Sequence, residues 1–165
     1  MDEAGNPIYH RCPARYEDAI SDGERWRKSL ELAMAADPNR QPEVRYRLAR
    51  FFNGQFGVET MADYGWALRR AAEDESSALK TFAIHTLGED ETMARLATGI
   101  KRFRLPDEFN FLRLYRQVAD DPQSGSYGES ALTELAGIYE NRRQYPQAAE
   151  CWKRNIKAHG AGTDR

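Results

Sequence analysis

Residues 129–162 read ESALTELAGIYENRRQYPQAAECWKRNIKAHGAG and contain the clearest helical pattern of the chain. Its apolar residues recur at intervals of three and four, which places them on one face of a helix. A polar segment at 140–144 separates two such stripes. The stretch therefore predicts two helices joined by a tight turn. The first stripe is Leu132, Leu135, Ala136 and Tyr139; the second is Ala148, Trp152 and Ile156.

The order of these residues resembles a tetratricopeptide repeat. Counted from Glu129, the matching residues stand at places 4, 7, 8, 11, 20 and 24, and they are Leu132, Leu135, Ala136, Tyr139, Ala148 and Trp152. A partial second copy consists of Leu48, Ala49, Phe52, Ala62 and Trp66, and a half copy of Trp26, Leu30 and Ala33. The resemblance implies degenerate antiparallel helical hairpins stacked as a short right-handed superhelix, an α-solenoid.

Composition independently predicts an all-α fold. The chain has 22 Ala and 12 Leu but only 3 Val and 6 Ile, so helix formers far outnumber the branched residues that favour strands. We expect at least seven helices and no sheet. Further helical stripes are Trp26, Leu30, Ala33 and Met34; Val44, Leu48, Phe51 and Phe52; Met93, Leu96, Ala97 and Ile100; and Phe111, Leu114, Tyr115 and Val118. Less regular stripes occur around residues 62–67 and 79–83.

The length of 165 residues predicts one domain. We expect a partly disordered arm at 1–13, a single helical repeat domain at 14–160 and a disordered tail at 161–165. Repeat arrays need a polar terminal helix. The last helix is expected to close the stack with Asn155 and Lys157 facing water, which would leave the domain a monomer.

Residues 1–7 carry neither the basic nor the apolar segment of a signal peptide, and no apolar run approaches the length of a membrane span. We therefore expect a soluble chain without either feature. The sequence of residues 94–103 and 138–145 also resembles helical repeat segments of large bacterial alpha-2-macroglobulin-like proteins. That resemblance implies a module of an exported or periplasmic protein; otherwise the compartment is open.

No nucleotide-binding glycine loop, nucleophile elbow or zinc-protease motif occurs, so we expect no cofactor and no enzymatic activity. His85 and Glu89 are four residues apart and could share a helix face, as two metal ligands would. Two ligands are too few for a site, so no metal is expected. An enzyme whose site is assembled from scattered residues remains the alternative, and a deep pocket holding His85 would favour it.

A second alternative is nucleic-acid binding through an arginine-rich face. Lys101, Arg102 and Arg104 interleave with Phe103, and Arg113 and Arg116 follow. The chain as a whole has 24 basic and 26 acidic side chains, which removes the electrostatic reason for a dedicated nucleic-acid binder. We therefore expect no nucleic-acid partner.

The remaining hypothesis is a non-enzymatic protein–protein interaction scaffold, in which a concave helical surface binds a peptide or protein segment. The resemblance places Tyr46, Arg50 and Asn53 on that surface in the second repeat. An aromatic ring, a guanidinium and an amide suit a peptide partner. In the last repeat the corresponding residues are Ser130, Thr133, Gly137 and Glu140.

Overall fold

The computed structural model describes residues 6–58, 84–96 and 99–160. These residues form five α-helices and one antiparallel β-hairpin. In chain order the elements are α1 Asp22–Ala36, α2 Gln41–Phe56, β1 Glu91–Leu96, β2 Gly99–Arg104, α3 Phe111–Ala119, α4 Ser126–Asn141 and α5 Tyr145–His159. Mostly helical structure was predicted, whereas the hairpin was not. The stripes predicted around 62–67 and 79–83 lie outside the described residues.

The core lies where α3 packs against both α2 and α4, with α5 packed on the far side of α4. The stripes predicted for α3 and α4 face this core. Tyr115 and Val118 of α3 are fully buried, as are Leu135 and Ala136 of α4. Apolar burial of these stripes is the main source of their helical stability.

The prediction of a helix through Met93, Leu96, Ala97 and Ile100 was wrong, because the chain forms the two antiparallel strands β1 and β2 there. Thr92 pairs with Phe103 and Leu96 with Gly99, so only two residues connect the strands. The four residues of the predicted helix are spaced as on a helix and do not alternate. A strand is the alternative, in which Thr92 and Ala94 share one face with Lys101 and Phe103. The β-branched and aromatic residues and Gly99 favour that alternative. The fully buried Thr92 donates its hydroxyl proton to the carbonyl of Phe56, which fastens β1 to the end of α2.

Helix α1 turns a different face inward from the one predicted. Glu24, Arg27 and Lys28 are its buried residues, whereas Trp26 is 37% exposed, with its ring centroid 4.8 Å from that of Phe51. The guanidinium of Arg27 lies 4.8 Å from the ring centroid of Phe109. Its alkyl chain and cation thus do the packing that the apolar stripe was expected to do.

The N-terminal arm covers this charged face of α1. The Tyr9 ring lies 4.9 Å from the ring of Phe109, and its hydroxyl donates to the carbonyl of Arg104 at 2.9 Å. Arg27 donates to the carbonyl of His10. The arm therefore joins α1 to the hairpin from residue 6 onward, and residues 1–5 lie outside the described part.

The predicted orientation of helix α5 was also wrong. Asn155 was predicted to face water but is only 4% exposed, and its amide donates to the hydroxyl of Thr133 at 3.1 Å. The side of α5 that faces α4 consists of Ala148, Cys151 and Asn155. Asn155 can be buried there because the Thr133 hydroxyl accepts a hydrogen bond from its amide. Lys157 is exposed, as expected.

The end of α4 and the turn to α5 are hydrogen-bonded to two separate parts of the chain, residues 87–91 and Val58. Arg142 is 1% exposed and donates to the carbonyls of Gly88 and Glu91, both at 3.2 Å. Gln144 donates to the carbonyl of Leu87 at 2.7 Å, and Asn141 to that of Val58 at 2.6 Å. The turn thus holds the hairpin and the end of α2 against α4.

We predict that Arg142→Ala lowers the free energy of unfolding by about 3 kcal/mol or more. The Glu91 carbonyl would lose the guanidinium as its donor, the Gly88 carbonyl would lose one of its two donors, and the fully buried side chain would leave a cavity. Urea unfolding followed by far-UV circular dichroism measures the change. Lys153→Ala, at an exposed position of α5, is the control and should leave the midpoint unchanged. An unchanged midpoint for Arg142→Ala would contradict the structural role given to this side chain.

Candidate functional site

A groove of about 500 Å³ lies between the end of α2 and the middle of α4. Polar and apolar groups contribute about equally to its walls, and the two helices contribute to opposite sides. The α2 side consists of Asn53, Gly54, Gly57 and Val58; the α4 side consists of Thr133, Glu134, Gly137, Ile138, Asn141 and Arg142. Its volume is within the range of about 300–1,000 Å³ that is typical of ligand-binding pockets.

Two helical glycines keep this groove open. A Cβ atom built on Gly54 or on Gly137 would meet no atom within 4 Å, so neither glycine is required by close packing. A glycine inside a helix costs about 0.5–1 kcal/mol relative to alanine. The space that these residues leave is therefore kept at some expense of helix stability.

The three predicted binding residues of α2, Tyr46, Arg50 and Asn53, have different surroundings in the structure. Asn53 lines the groove. Tyr46 is half-buried between the helices, where its hydroxyl lies 3.4 Å from a carboxylate oxygen of Glu134 and its ring 5.7 Å from the ring of Tyr115. Burial, followed by the nearby Glu134 carboxylate, raises the pKa of Tyr46. Tyr46 is thus a packing residue beside the groove, not an open platform.

Arg50 is exposed, and within the described residues it forms no hydrogen bond or ion pair. Its guanidinium is therefore available to a carboxylate from outside. Whether Tyr46, Arg50 and Asn53 bind a partner stays a prediction.

The α4 wall includes residues that the sequence did not single out. Thr133 and Gly137 were expected on this surface and line the groove, whereas Glu140 instead accepts a hydrogen bond from the indole of Trp152 at 2.8 Å. Glu134 and Asn141 were missed. Asn141 is four residues beyond Gly137 on the same helical row, which is the signal that could have found it.

His85, the residue on which the hypothesis of an enzyme depended most, does not lie in the groove. It is exposed in a 3-10 turn at Ile84–Thr86. Glu89 lies beyond the end of that turn and pairs with Arg116, so the expected shared helix face is wrong. Among the described residues, no three His, Cys, Asp or Glu side chains are grouped as a metal site requires.

Neither cysteine is an activated nucleophile. Burial raises the pKa of the Cys12 thiol to about 11, and the thiol donates to Glu31 at 3.1 Å. Burial also raises the pKa of Cys151, which is 8% exposed. Both thiols are consequently protonated at neutral pH, where only the thiolate would react.

The predicted basic patch is neutralised by carboxylates. Alternation along β2 places Lys101 and Phe103 on one face of the hairpin, and Arg102 and Arg104 on the other. Each arginine of the patch has an acidic partner: Arg102 pairs with Glu91 at 2.5 Å, Arg104 with Asp90 at 3.6 Å, Arg113 with Asp107 and Arg116 with Glu89. Each of these four positive charges is therefore balanced by a neighbouring carboxylate.

No family model, curated protein or solved structure matches this chain. None of the helices in the described ranges is long and apolar enough to cross a membrane.

We predict that Gly137→Ala raises the free energy of unfolding by about 0.5–1 kcal/mol, since the added methyl group meets open space and alanine is the better helix former. Thermal unfolding measures the gain. Gly128→Ala is the contrasting variant, because its Cβ would lie 2.4 Å from the Ser124 hydroxyl oxygen and should destabilise the chain. Destabilisation by Gly137→Ala would mean that the groove is not open.

We predict a pH-dependent contribution from Glu91. The backbone N–H of Gly88 and then the Arg102 guanidinium hold the pKa of Glu91 below its usual 4.5. A depressed pKa stabilises the fold above the unfolded pKa, and the contribution is lost as the pH falls through the folded value. Glu91→Gln should therefore cost about 1–2 kcal/mol at pH 7 and much less near pH 3.

Urea unfolding at both pH values tests this expectation. The exposed Glu17→Gln is the control and should match the unchanged chain at each pH. An equal cost of Glu91→Gln at pH 7 and pH 3 would count against the ion pair as its source.

Proposed function

We infer that this chain is a non-enzymatic binding module, in which the groove between α2 and α4 receives an extended segment of a protein partner. The observation that carries this proposal is the pair of helical glycines, Gly54 and Gly137, which leave open a groove with both polar and apolar walls. A cavity with no such function would be filled by side chains in a close-packed domain.

The order in which the helices pack supports the hypothesis of a tetratricopeptide-like arrangement, in which this groove belongs to the concave surface. Helix α3 packs against α2 and α4, and α5 packs against α4, which is the sequence of contacts expected of two successive helical hairpins. In that arrangement α2 and α4 are the inner helices of a short right-handed superhelix. Residues 57–110 separate α2 from α3, so the first hairpin departs from the short turn of a regular repeat.

The chemistry of the walls suits a peptide backbone. An extended segment presents N–H and C=O groups that need partners. Asn53 offers an amide, and Glu134 offers a carboxylate that accepts hydrogen bonds. The Thr133 hydroxyl accepts from Asn155 and therefore keeps its own proton for an acceptor in the groove. Val58 and Ile138 add apolar surface for a side chain.

The test is selection of binding peptides from a displayed random library on the purified chain, followed by fluorescence anisotropy with the selected sequences. Gly137→Trp fills the groove and should weaken binding at least about tenfold, a loss of about 1.4 kcal/mol. Asn53→Ala and Arg50→Ala should weaken it to a smaller degree, through the loss of a polar contact.

Gly23→Trp is the matched control, because Gly23 is a helical glycine of α1 whose Cβ would have only one neighbour, at 4.0 Å. It should bind the selected peptides like the unchanged chain. A library that yields no binder, or peptides that bind Gly137→Trp with unchanged affinity, would overturn the proposed function.

A further inference from the structure

The outward side of α5 carries an apolar stripe that nothing in the described chain covers completely. Tyr145, Ala149, Trp152 and Ile156 follow one another at intervals of four, three and four. Tyr145 is 62% exposed and Ile156 is 54% exposed, Ala149 is exposed, and Trp152 is half-buried. This spacing places all four on one line along the helix.

The stripe borders the side of α5 that packs on α4, and Trp152 contributes to both, because its indole packs partly against the core and donates to Glu140 of α4. Ala148, Cys151 and Asn155 are buried against α4 and belong to the domain core. Single exposed apolar residues are ordinary, but a continuous line at a and d spacing is the pattern by which one helix packs against another. None of the four residues lines the groove between α2 and α4.

We propose that this stripe is a homodimer interface, on which the α5 helix of a second copy of this chain packs in antiparallel orientation. Residue sizes favour this occupant. An antiparallel pair centred between residues 150 and 151 places Trp152 opposite Ala149 of the second copy, and Tyr145 opposite Ile156. The small Ala149 leaves room for the indole, whereas a parallel pair would set indole against indole and methyl against methyl.

The pairing is self-complementary, as a two-fold interface must be. Lys153 flanks the stripe, and Glu150 lies on the same side but farther round the helix; both are exposed. Antiparallel packing brings like flanks together, so that Glu150 of each copy comes close to Lys153 of the other. Two opposite charges, repeated by the symmetry, favour a second copy over an unrelated apolar helix.

One helix pair of this length buries less than about 1,200 Å², which is the size class of weak interfaces. The dimer should therefore form and dissociate with concentration. This replaces the expectation of a monomer that is closed by a polar terminal helix.

Sedimentation velocity between about 1 and about 300 μM tests the proposal, since weak interfaces dissociate in this range. The unchanged chain should shift from monomer to dimer. Ile156→Glu should weaken dimerisation at least about tenfold. Leu32→Glu, at a helical position of α1 with 51% exposure, is the matched control and should dimerise normally.

A charge exchange tests the orientation. Glu150→Lys should weaken the dimer by placing like charges together, and the double variant with Lys153→Glu should restore it. Thermal unfolding confirms that each variant is folded. A chain that stays monomeric over the whole range would overturn the proposal. So would a dimer that responds to Leu32→Glu and not to Ile156→Glu, or a monomer that takes up an unrelated helical peptide on this face.

Discussion

The buried guanidinium of Arg142 is the interaction on which the rest of the fold depends. It carries a positive charge into the core without a carboxylate at hydrogen-bond distance, and burial lowers its pKa accordingly. Two carbonyls of the hairpin region and the face of Phe111 at 5.7 Å offset part of the desolvation cost. Such a charge is tolerated only when its neighbours are held in place, so the hairpin, α3 and the end of α4 form one interdependent unit.

The groove follows from this arrangement. Its α4 wall ends at Asn141 and Arg142, which also bind the segment after α2 and the hairpin. The distance between the two walls is therefore set by the same turn that orders the core. A ligand would meet a preformed surface, which reduces the entropic cost of binding. The polar and apolar groups of the lining and the open glycines would then govern which segments fit.

The sequence predicted the parts of the fold that depend on local periodicity. The stripes of α3 and α4 are buried as expected, because a single apolar face decides their orientation. The hairpin at 91–104 was missed, since Met93, Leu96, Ala97 and Ile100 are spaced as on a helix, whereas β1 is held by contacts with distant residues, such as that of Thr92 with the carbonyl of Phe56. The inward face of α1 was also wrong, because Arg27 packs by its long alkyl chain and stacked cation on Phe109, contacts that no period reveals. Within the groove, Asn53, Thr133 and Gly137 could be placed from repeat positions, whereas Glu134 depends on how α2 and α4 approach each other.

The docked arm also constrains the order in which the chain can fold. Tyr9 bonds to Arg104, 95 residues away, and Arg27 pairs with Glu108, 81 residues away. The helices α4 and α5, by contrast, are joined by a turn whose backbone–backbone hydrogen bonds span only a few residues. During synthesis Tyr9 and Arg27 leave the ribosome long before Arg104 and Glu108 exist, so the contacts that join the arm and α1 to the second half of the chain form late. The first half of the chain is consequently the part most exposed to chaperones and proteases before the second half arrives.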